Sequence, residues 1–338
     1  MSLLPYLHRV ATGSDLTSEE AHQAMGVLLE GQAGEAEIAG FLIALKMKGE
    51  TAVEIAGFAR AMRDRMIVVD AGPEVIDTCG TGGDGAGTFN ISTAVAIVMA
   101  GAGAHVAKHG NRSISSNSGS ADVLEALGVR ITDVSPEEAG RSIREVGIGF
   151  LFAPALHPAM KHAQPVRKAL KTRTVFNLLG PLANPARASA QLIGAPSLES
   201  AKLMAEALAE LGTRRAFVVH GQDGLDEITT TTATDVYEVT AAGVRKHLWK
   251  PADFGIRTSE MASLKGGDSS RNSQMIIEII SGVGSARRDI VLVNAAAGLL
   301  AAGLAADLGG GMELAKQAVA SGAAMAKLEQ LKKKFPNS

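Results

Sequence analysis

Three short stretches hold most of the residues able to do chemistry. The first, "DTCGTGGDGAGTFNIST" from Asp77 to Thr93, is a glycine-rich loop with a carboxylate inside it, Asp84. It runs through Asn90, Ser92 and Thr93, good helix N-cap residues, into a helix start. Glycines let backbone N–H groups crowd an anion, and a helix N-terminus offers more of them. The loop contains a literal G-x-G-x-x-G in Gly80, Gly82 and Gly85. A dinucleotide fold also needs an acidic residue about 20 positions further on, to hold ribose hydroxyls. Lys108, His109 and Arg112 stand in that region instead, so the dinucleotide reading fails on its confirming residue. Asp84 points the same way. A bare carboxylate repels phosphate unless a divalent cation such as Mg²⁺ takes oxygens from both.

The second stretch, "KHGNRSISSNSGSAD", mixes the cations Lys108 and Arg112 with Asn111, Ser113, Ser115, Ser116, Ser118 and Ser120, separated by Gly110 and Gly119. Fixed positive charge, hydroxyls and free backbone in one loop suit a doubly charged phosphate group. The third, "VVHGQDGLDEITTTTATD", places Asp226 beside Glu227, with Asp223 one turn earlier. Adjacent carboxylates on an extended backbone point to opposite sides and reach two ions, or one ion and its water shell. An ordinary polar turn is the competing reading of "GQDGLDE".

The elements around these stretches decide what they belong to. Residues up to about 66 read as helices. Thr17 with Glu20 and Thr51 with Glu54 have the capping-box spacing. Ile38, Phe41, Leu42 and Leu45 form one apolar face, and Val53, Ala56, Phe58 and Met62 another. No cluster of chemical groups appears among them, so they read as a packing or dimerisation module. From Val75 the texture changes to short apolar strands, Gly-rich loops and helices, the alternation of an α/β domain with a mainly parallel sheet. Each polar stretch falls at a strand's carboxyl end, where such sheets bind ligands. "RTVFNLLGPLANPARA" reads as a connection between subdomains, and the basic tail "KLEQLKKKFPNS" as a solvated helix end.

Composition sets the outer limits. With 338 residues the chain buries a large core, and its 4% aromatics, 38 glycines and 46% hydrophobics suit helices packed on a parallel sheet. A formal charge of −2 gives no case for a nucleic-acid or membrane partner. Cys79 is the one cysteine, so intramolecular disulfides and Cys-cluster metal sites are excluded, which fits the cytoplasm; it reads as core. No signal peptide and no long uninterrupted apolar run stands out.

Five long stretches in order, "DTCGTGGDGAGTFNIST", "VAKHGNRSISSNSGSADVLEALG", "FLFAPALHPAMKHAQPVRKALKTRTVFNLLGPLANPA", "VVHGQDGLDEIT" and "GSARRDIVLVNAAAGLLAAG", resemble the anthranilate phosphoribosyltransferase family over almost the whole chain. The resemblance implies an α/β fold: a small all-helical N-terminal domain plus a large α/β domain with a mainly parallel central sheet and flanking helices. Residues 1–70 would form the helical domain, joined by a segment near 165–187, with 71–164 and 188–338 forming the α/β domain. The implied reaction is attack of the anthranilate amine on C1 of 5-phospho-α-D-ribose 1-diphosphate (PRPP), with Mg²⁺ as cofactor and a homodimer formed through the helical part.

By motif, Gly80, Gly83, Asp84, Thr88, Asn90, Ser92 and Thr93 would line the diphosphate and ribose. Lys108, Asn111, Arg112, Ser113, Ser115, Ser116 and Ser120 would hold phosphates. Ser92, Asp226 and Glu227 would carry the metal. Gly80, Asn111 and Arg167 would form the anthranilate end, with His109 and His157 as candidates to line the aromatic pocket or take up the amine proton. Asn117 and the pair Asn272-Ser273 depart from the family pattern or its usual residues, and neither touches an assigned role. A pyrimidine nucleoside phosphorylase and a nucleic-acid-binding relative are the rival readings. The glycine loop, the Asp226-Glu227 pair and Arg167 argue against the first, and the charge against the second.

Overall fold

A computed structural model describes residues 2–82, 84–113 and 118–337. Four helices come first: α1 (Leu4–Ala11), α2 (Ser18–Leu29), α3 (Glu35–Lys48) and α4 (Ala52–Asp64). The expected capping boxes are present. Thr17 and Thr51 accept the amides of Glu20 and Glu54, whose carboxylates bond back to the cap amides. Ile38, Phe41, Leu42 and Leu45 are all buried. Of the second face, Ala56, Phe58 and Met62 are buried, but Val53, in the first turn of α4, is exposed. The turn-by-turn spacing there places one residue too many inside.

The remainder alternates. β1 (Ile76–Gly80) leads to α5 (Ile91–Gly101), and β2 (Val106–Gly110) to α6 (Ser120–Ala126) and α7 (Pro136–Val146). β3 (Ile148–Phe152) is followed by α8 (Ala153–Leu156), α9 (Gln164–Leu170) and α10 (Phe176–Leu182). Then come β4 (Ala190–Gly194), α11 (Leu198–Glu210), β5 (Arg215–Gly221), β6 (Thr234–Thr240) and β7 (Gly243–Trp249). The chain ends in α12 (Ser269–Ile280), α13 (Ala286–Ala302), α14 (Leu308–Ala320) and α15 (Ala323–Lys334). Among the described residues no helix is long and apolar enough to cross a membrane.

The strands form one sheet in the order β3-β2-β1-β4-β5-β6-β7, parallel from β3 to β5 and antiparallel beyond. The two hairpin-linked strands at the β7 edge were not anticipated from the sequence. β1 steps outward to β2 and β3, and the chain then returns to β4 on the other side of β1. The crevice between β1 and β4 is therefore the point where the winding reverses, the usual ligand position in open α/β sheets.

Side chains alternate across the sheet. Leu192, Phe217 and Val219 pack with α5, α13 and α14, whereas Ile193 and Val218 join a second core with α2, α3, α4, α10 and α11. The helical module thus joins the core on one side of the sheet by packing α4 on α11 and α10, with α11 lying on β5 and β6. Two connecting segments differ from expectation. The stretch read as a plain connection forms α10, with Pro181 inside it, and the basic tail is α15, which buries Leu328 and Leu331 in the first core with Phe335 just beyond it. Lysines on its exposed side masked that apolar stripe.

Candidate active site

The carboxyl edge of the sheet gathers the chemical residues. β1 and β4 end in register at Gly80 and Gly194, and the amide of Thr81 bonds the Gly194 carbonyl at 3.0 Å. The loop after β5 folds back across both ends. There a Cβ on Gly80 would lie 2.5 Å from Oδ2 of Asp226, and a Cβ on Gly194 would collide with the Asp226 backbone carbonyl. These two glycines admit Asp226 by having no side chain. Oδ2 of Asp226 then accepts the amide of Gly82 at 2.9 Å. Asn294 of α13 holds the next segment from below, accepting the Ile228 amide and donating to its carbonyl, both at 2.9 Å.

Asp226 and Glu227 sit on a bend, and their carboxylates face different neighbours while remaining close enough to repel. Burial, then the nearby Asp84, pushes Asp226 up to about 7. Burial and Asp226 push Glu227 well above the usual carboxylate range, with Lys108 and the Ser92 amide acting in the opposite direction. Among the described residues no three His, Cys, Asp or Glu side chains form a metal cage. What the edge offers is a corner of oxygen donors crowded with carboxyls that give up their protons reluctantly: Asp226, Glu227, Asp84 and the Ser92 hydroxyl. That set fits a hard divalent cation that keeps waters and shares its shell with phosphate. Asp223 does not join it. Its carboxylate accepts the hydroxyls of Thr229 and Thr231 and the Leu225 amide, which makes it the organiser of its own turn.

Lys108 is buried in the middle of β2, where Nζ donates to the Thr78 carbonyl at 2.8 Å and to Ser92 Oγ at 3.1 Å. Burial lowers its pKa, against the pull of Asp77, Cys79 and Glu227. Asp77, to which the sequence reading gives no role, is fully buried beneath it. It accepts Asn184 Nδ2 at 2.7 Å and the His109 amide at 3.1 Å, and burial lifts its carboxyl to about 6. A lone acid inside an apolar strand was the available signal. Cys79, read as core, is half-buried and packs on the second core.

The helix-entry residues are tied across the site. Asn90 donates to the Ser118 carbonyl at 3.1 Å and accepts Asn272 Nδ2 at 3.0 Å, while Asn272 Oδ1 takes the Gly267 amide. Asn272 therefore touches an assigned residue, contrary to expectation; Ser273 Oγ bonds the Ser270 carbonyl of its own helix. Thr88 bridges backbone-wise to Lys265, and Thr93 is buried with Oγ1 unpartnered among the described residues. Asn111 is exposed at the tip of β2, and its carbonyl accepts Ser120 Oγ at 3.2 Å. Arg112 is engaged by Glu125 and Asp122, and Ser113 N–H by Asp122. Gly83, Ser115, Ser116 and Asn117 lie outside the described residues.

The two histidines meet, with ring centroids 5.1 Å apart. His109 Nδ1 lies 3.2 Å from the Gly180 carbonyl, which can only accept, so Nδ1 carries the proton and Nε2 a lone pair. Nε2 of His109 and Nε2 of His157 are both buried, without a partner among the described residues. Burial lowers His109 to about 3 and His157 to about 4, so both rings are neutral near pH 7. Arg167 of α9 stacks on Phe176 of α10, 5.2 Å from the ring centre, and the Gly180 carbonyl of the same helix faces His109.

Comparison with known proteins agrees with this geometry. Residues 4–66 match the model of the glycosyl transferase family helical bundle domain, and residues 72–325 that of its a/b domain. The anthranilate phosphoribosyltransferase of Solibacter usitatus is 58% identical over 334 residues, 98% of each chain. That of Desulforamulus reducens is 51% identical, covering 96% of this chain and 94% of its own. Among solved structures, the enzyme of Thermus thermophilus superposes with a TM-score of 0.92 at 42% identity, over 97% of this chain and 98% of that one. The Saccharomyces cerevisiae enzyme, solved in complex with PRPP and Mg, gives 0.89 at 29% identity, over 98% and 97%. The chain belongs to the anthranilate phosphoribosyltransferases, a family of pentosyl-transferring enzymes.

Proposed function

We propose that this chain transfers the 5-phosphoribosyl group of PRPP to the amine of anthranilate, giving N-(5-phosphoribosyl)anthranilate and pyrophosphate, a step of tryptophan biosynthesis. The observation that carries the reading is the buried, mutually repelling Asp226-Glu227 pair folded against the glycine loop. Such a corner would take a divalent cation in exchange for the protons its raised carboxyls hold, and a cation there would attract a diphosphate. Asp226, Glu227 and Ser92 would hold Mg²⁺, as supported by the yeast relative solved with PRPP and Mg. When bound, it supplies positive charge to the leaving diphosphate.

The protein's own groups do the rest. Gly80, Gly83, Asp84, Thr88, Asn90, Ser92 and Thr93 surround diphosphate and ribose. Lys108, Asn111, Arg112, Ser113, Ser115, Ser116 and Ser120 hold phosphates. Arg167, with Gly80 and Asn111, orients anthranilate through its carboxylate, which a guanidinium grips with two parallel bonds. An aromatic amine already carries its lone pair, so positioning matters more than a strong base. The C1–O bond to diphosphate breaks as the C–N bond forms, and the amine proton leaves. In this reading His109 and His157, whose rings lie side by side with buried Nε2 atoms, line the aromatic pocket or take up that proton.

The same reading includes a homodimer through the helical domain. An apolar groove of about 680 Å³ lies between α1 and α3, lined by Leu7, Val10, Ala39, Ile43 and Met47, and Met47 is 82% exposed. It also includes residues 1–70 as the helical domain, with 165–187 joining it, in keeping with Val166, Phe176 and Leu179 in the second core. The single cysteine supports a reducing compartment, the cytoplasm. The test is loss of anthranilate fluorescence with purified protein, PRPP and MgCl₂. Loss that EDTA abolishes is expected; no loss from folded protein would overturn the reading.

A further inference from the structure

The phosphate role given to Arg112 leaves its present partners to be explained. Nη1 donates to Oε2 of Glu125 at 2.6 Å and Nη2 to Oε1 at 2.7 Å, two parallel bonds to one carboxylate. Nη1 also reaches Oδ1 of Asp122 at 3.1 Å. That paired geometry is the one by which a guanidinium takes a phosphate, so a phosphate bound face-on and Glu125 need the same edge.

The neighbouring groups do not need to move for such an exchange. Asp122 Oδ2 accepts the Gly119 amide at 2.8 Å, the bond expected of a third-position acid at a helix start. The same oxygen also accepts the Ser113 amide at 3.1 Å. It therefore fastens the residue after Arg112 to the start of α6. Gly119 is where this close approach happens, since a Cβ there would collide with the Ser113 nitrogen. The Phe152 ring, 5.9 Å from the guanidinium carbon, supports the arginine from the end of β3. Arg112 thus has two anchors besides Glu125. The Glu125 pair is partly exposed, with 42% of the Arg112 side chain and 27% of Glu125 accessible. Exposed pairs are weak enough to be exchanged.

We propose that Glu125 sets the affinity for PRPP by occupying the edge of Arg112 that a substrate phosphate takes. Binding exchanges a carboxylate for a phosphate on one guanidinium, with Asp122 and Phe152 holding Arg112 in place. The inference rests on the phosphate-binding role of Arg112 proposed above. Asp122 is a positioning residue in this scheme, and Glu125 a competitor.

The experiment measures the KM for PRPP, and the Kd of PRPP by calorimetry with Mg²⁺, in full-length Glu125→Gln, Arg112→Gln and the double variant. Glu125→Gln is expected to lower both constants about two- to fivefold, the range an exposed pair supports. Arg112→Gln is expected to raise them, and adding Glu125→Gln to it to change nothing further. Asp122→Asn is expected to raise them, because the anchor is lost while the competitor stays. An unchanged or raised Kd in Glu125→Gln overturns the proposal while leaving the role of Arg112 standing. An unchanged Kd in Arg112→Gln overturns that role, and the exchange with it.

Discussion

Glu54 in the helical module and Asp226 at the sheet edge are both buried carboxylates, and they could hardly be treated more differently. Glu54 accepts the Leu16 amide at 2.9 Å, the Thr51 amide at 2.8 Å and Lys48 Nζ at 2.9 Å, so its charge is fully answered inside the module. Asp226 has the Gly82 amide, and beside it stand two further carboxylates, Asp84 and Glu227. The same contrast holds for neutral groups. The α2 and α4 starts have reciprocal caps, whereas Thr81, Thr93, His109 and His157 each leave a buried atom without a partner among the described residues. Polar satisfaction marks the supporting module, and several of the unanswered buried atoms belong to residues of the working edge.

Paired substitutions probe that contrast most strongly. Glu227→Gln should lower kcat/KM about 100-fold or more, the scale of losing one transition-state contact, while raising the melting temperature of the metal-free protein. Glu54→Gln should do the reverse, costing about 1–3 kcal/mol of stability and leaving kcat/KM within a few-fold. If both changes moved stability the same way, the distinction between the two regions would collapse. Next in size, Arg167→Ala should raise the anthranilate KM about 10- to 100-fold and the PRPP KM much less, as read in initial-rate kinetics. The opposite ordering would detach Arg167 from the aromatic end.

The histidines supply a pH test. An unfolded imidazole takes a proton near 6.5, but buried His109 does so only near 3. The unfolded state therefore binds more protons between those values, and stability falls as pH drops through that window. Asp77, raised to about 6, acts with the opposite sign: its contribution is present below about 4 and is lost as pH rises to about 6. His109→Gln should remove the first effect alone. Urea midpoints at pH 7 and 4.5 should show the variant losing less stability than its parent on acidification, by about 2 kcal/mol. An identical loss would mean the ring is not buried neutral. The smallest effect is expected at the start of α3, where Gly34 caps without a side chain. Gly34→Ser should add a few tenths of a kcal/mol and leave catalysis alone. A change in activity there would make the module more than support.

Local signals are plain in the sequence and long-range ones faint. Thr17 with Glu20, and Thr51 with Glu54, are written within four residues and need no tertiary context to be legible. The strand–loop–helix order located the glycine loop, Lys108 and the Asp226-Glu227 bend at one edge. Asn184, Asn272 and Asn294 were invisible because their partners, Asp77, Asn90 and Ile228, are 107, 182 and 66 positions away. An asparagine says nothing about such a distance. Gly194 was equally silent: its requirement comes from the carbonyl of a residue on another loop. Strands β6 and β7 escaped because the strand–helix alternation gave no cue for a hairpin, and β7, at the sheet edge, carries Arg245, Lys246 and His247 among its residues.

The second core has a consequence for how the chain is made. Leu28, Leu42, Ile55 and Phe58 share one apolar cluster with Ala201, Met204 and Leu208 of α11 and Val218 of β5, and α4 packs directly on α11. A growing polypeptide emerges from the ribosome amino end first. The first four helices leave the tunnel with part of their burial partner still unmade, and must wait for about 150 more residues, at about 5–20 per second, before their exposed face is covered. The module that looks most independent on paper is thus one whose completion is deferred, and a nascent-chain holdase would find its sticky surface there.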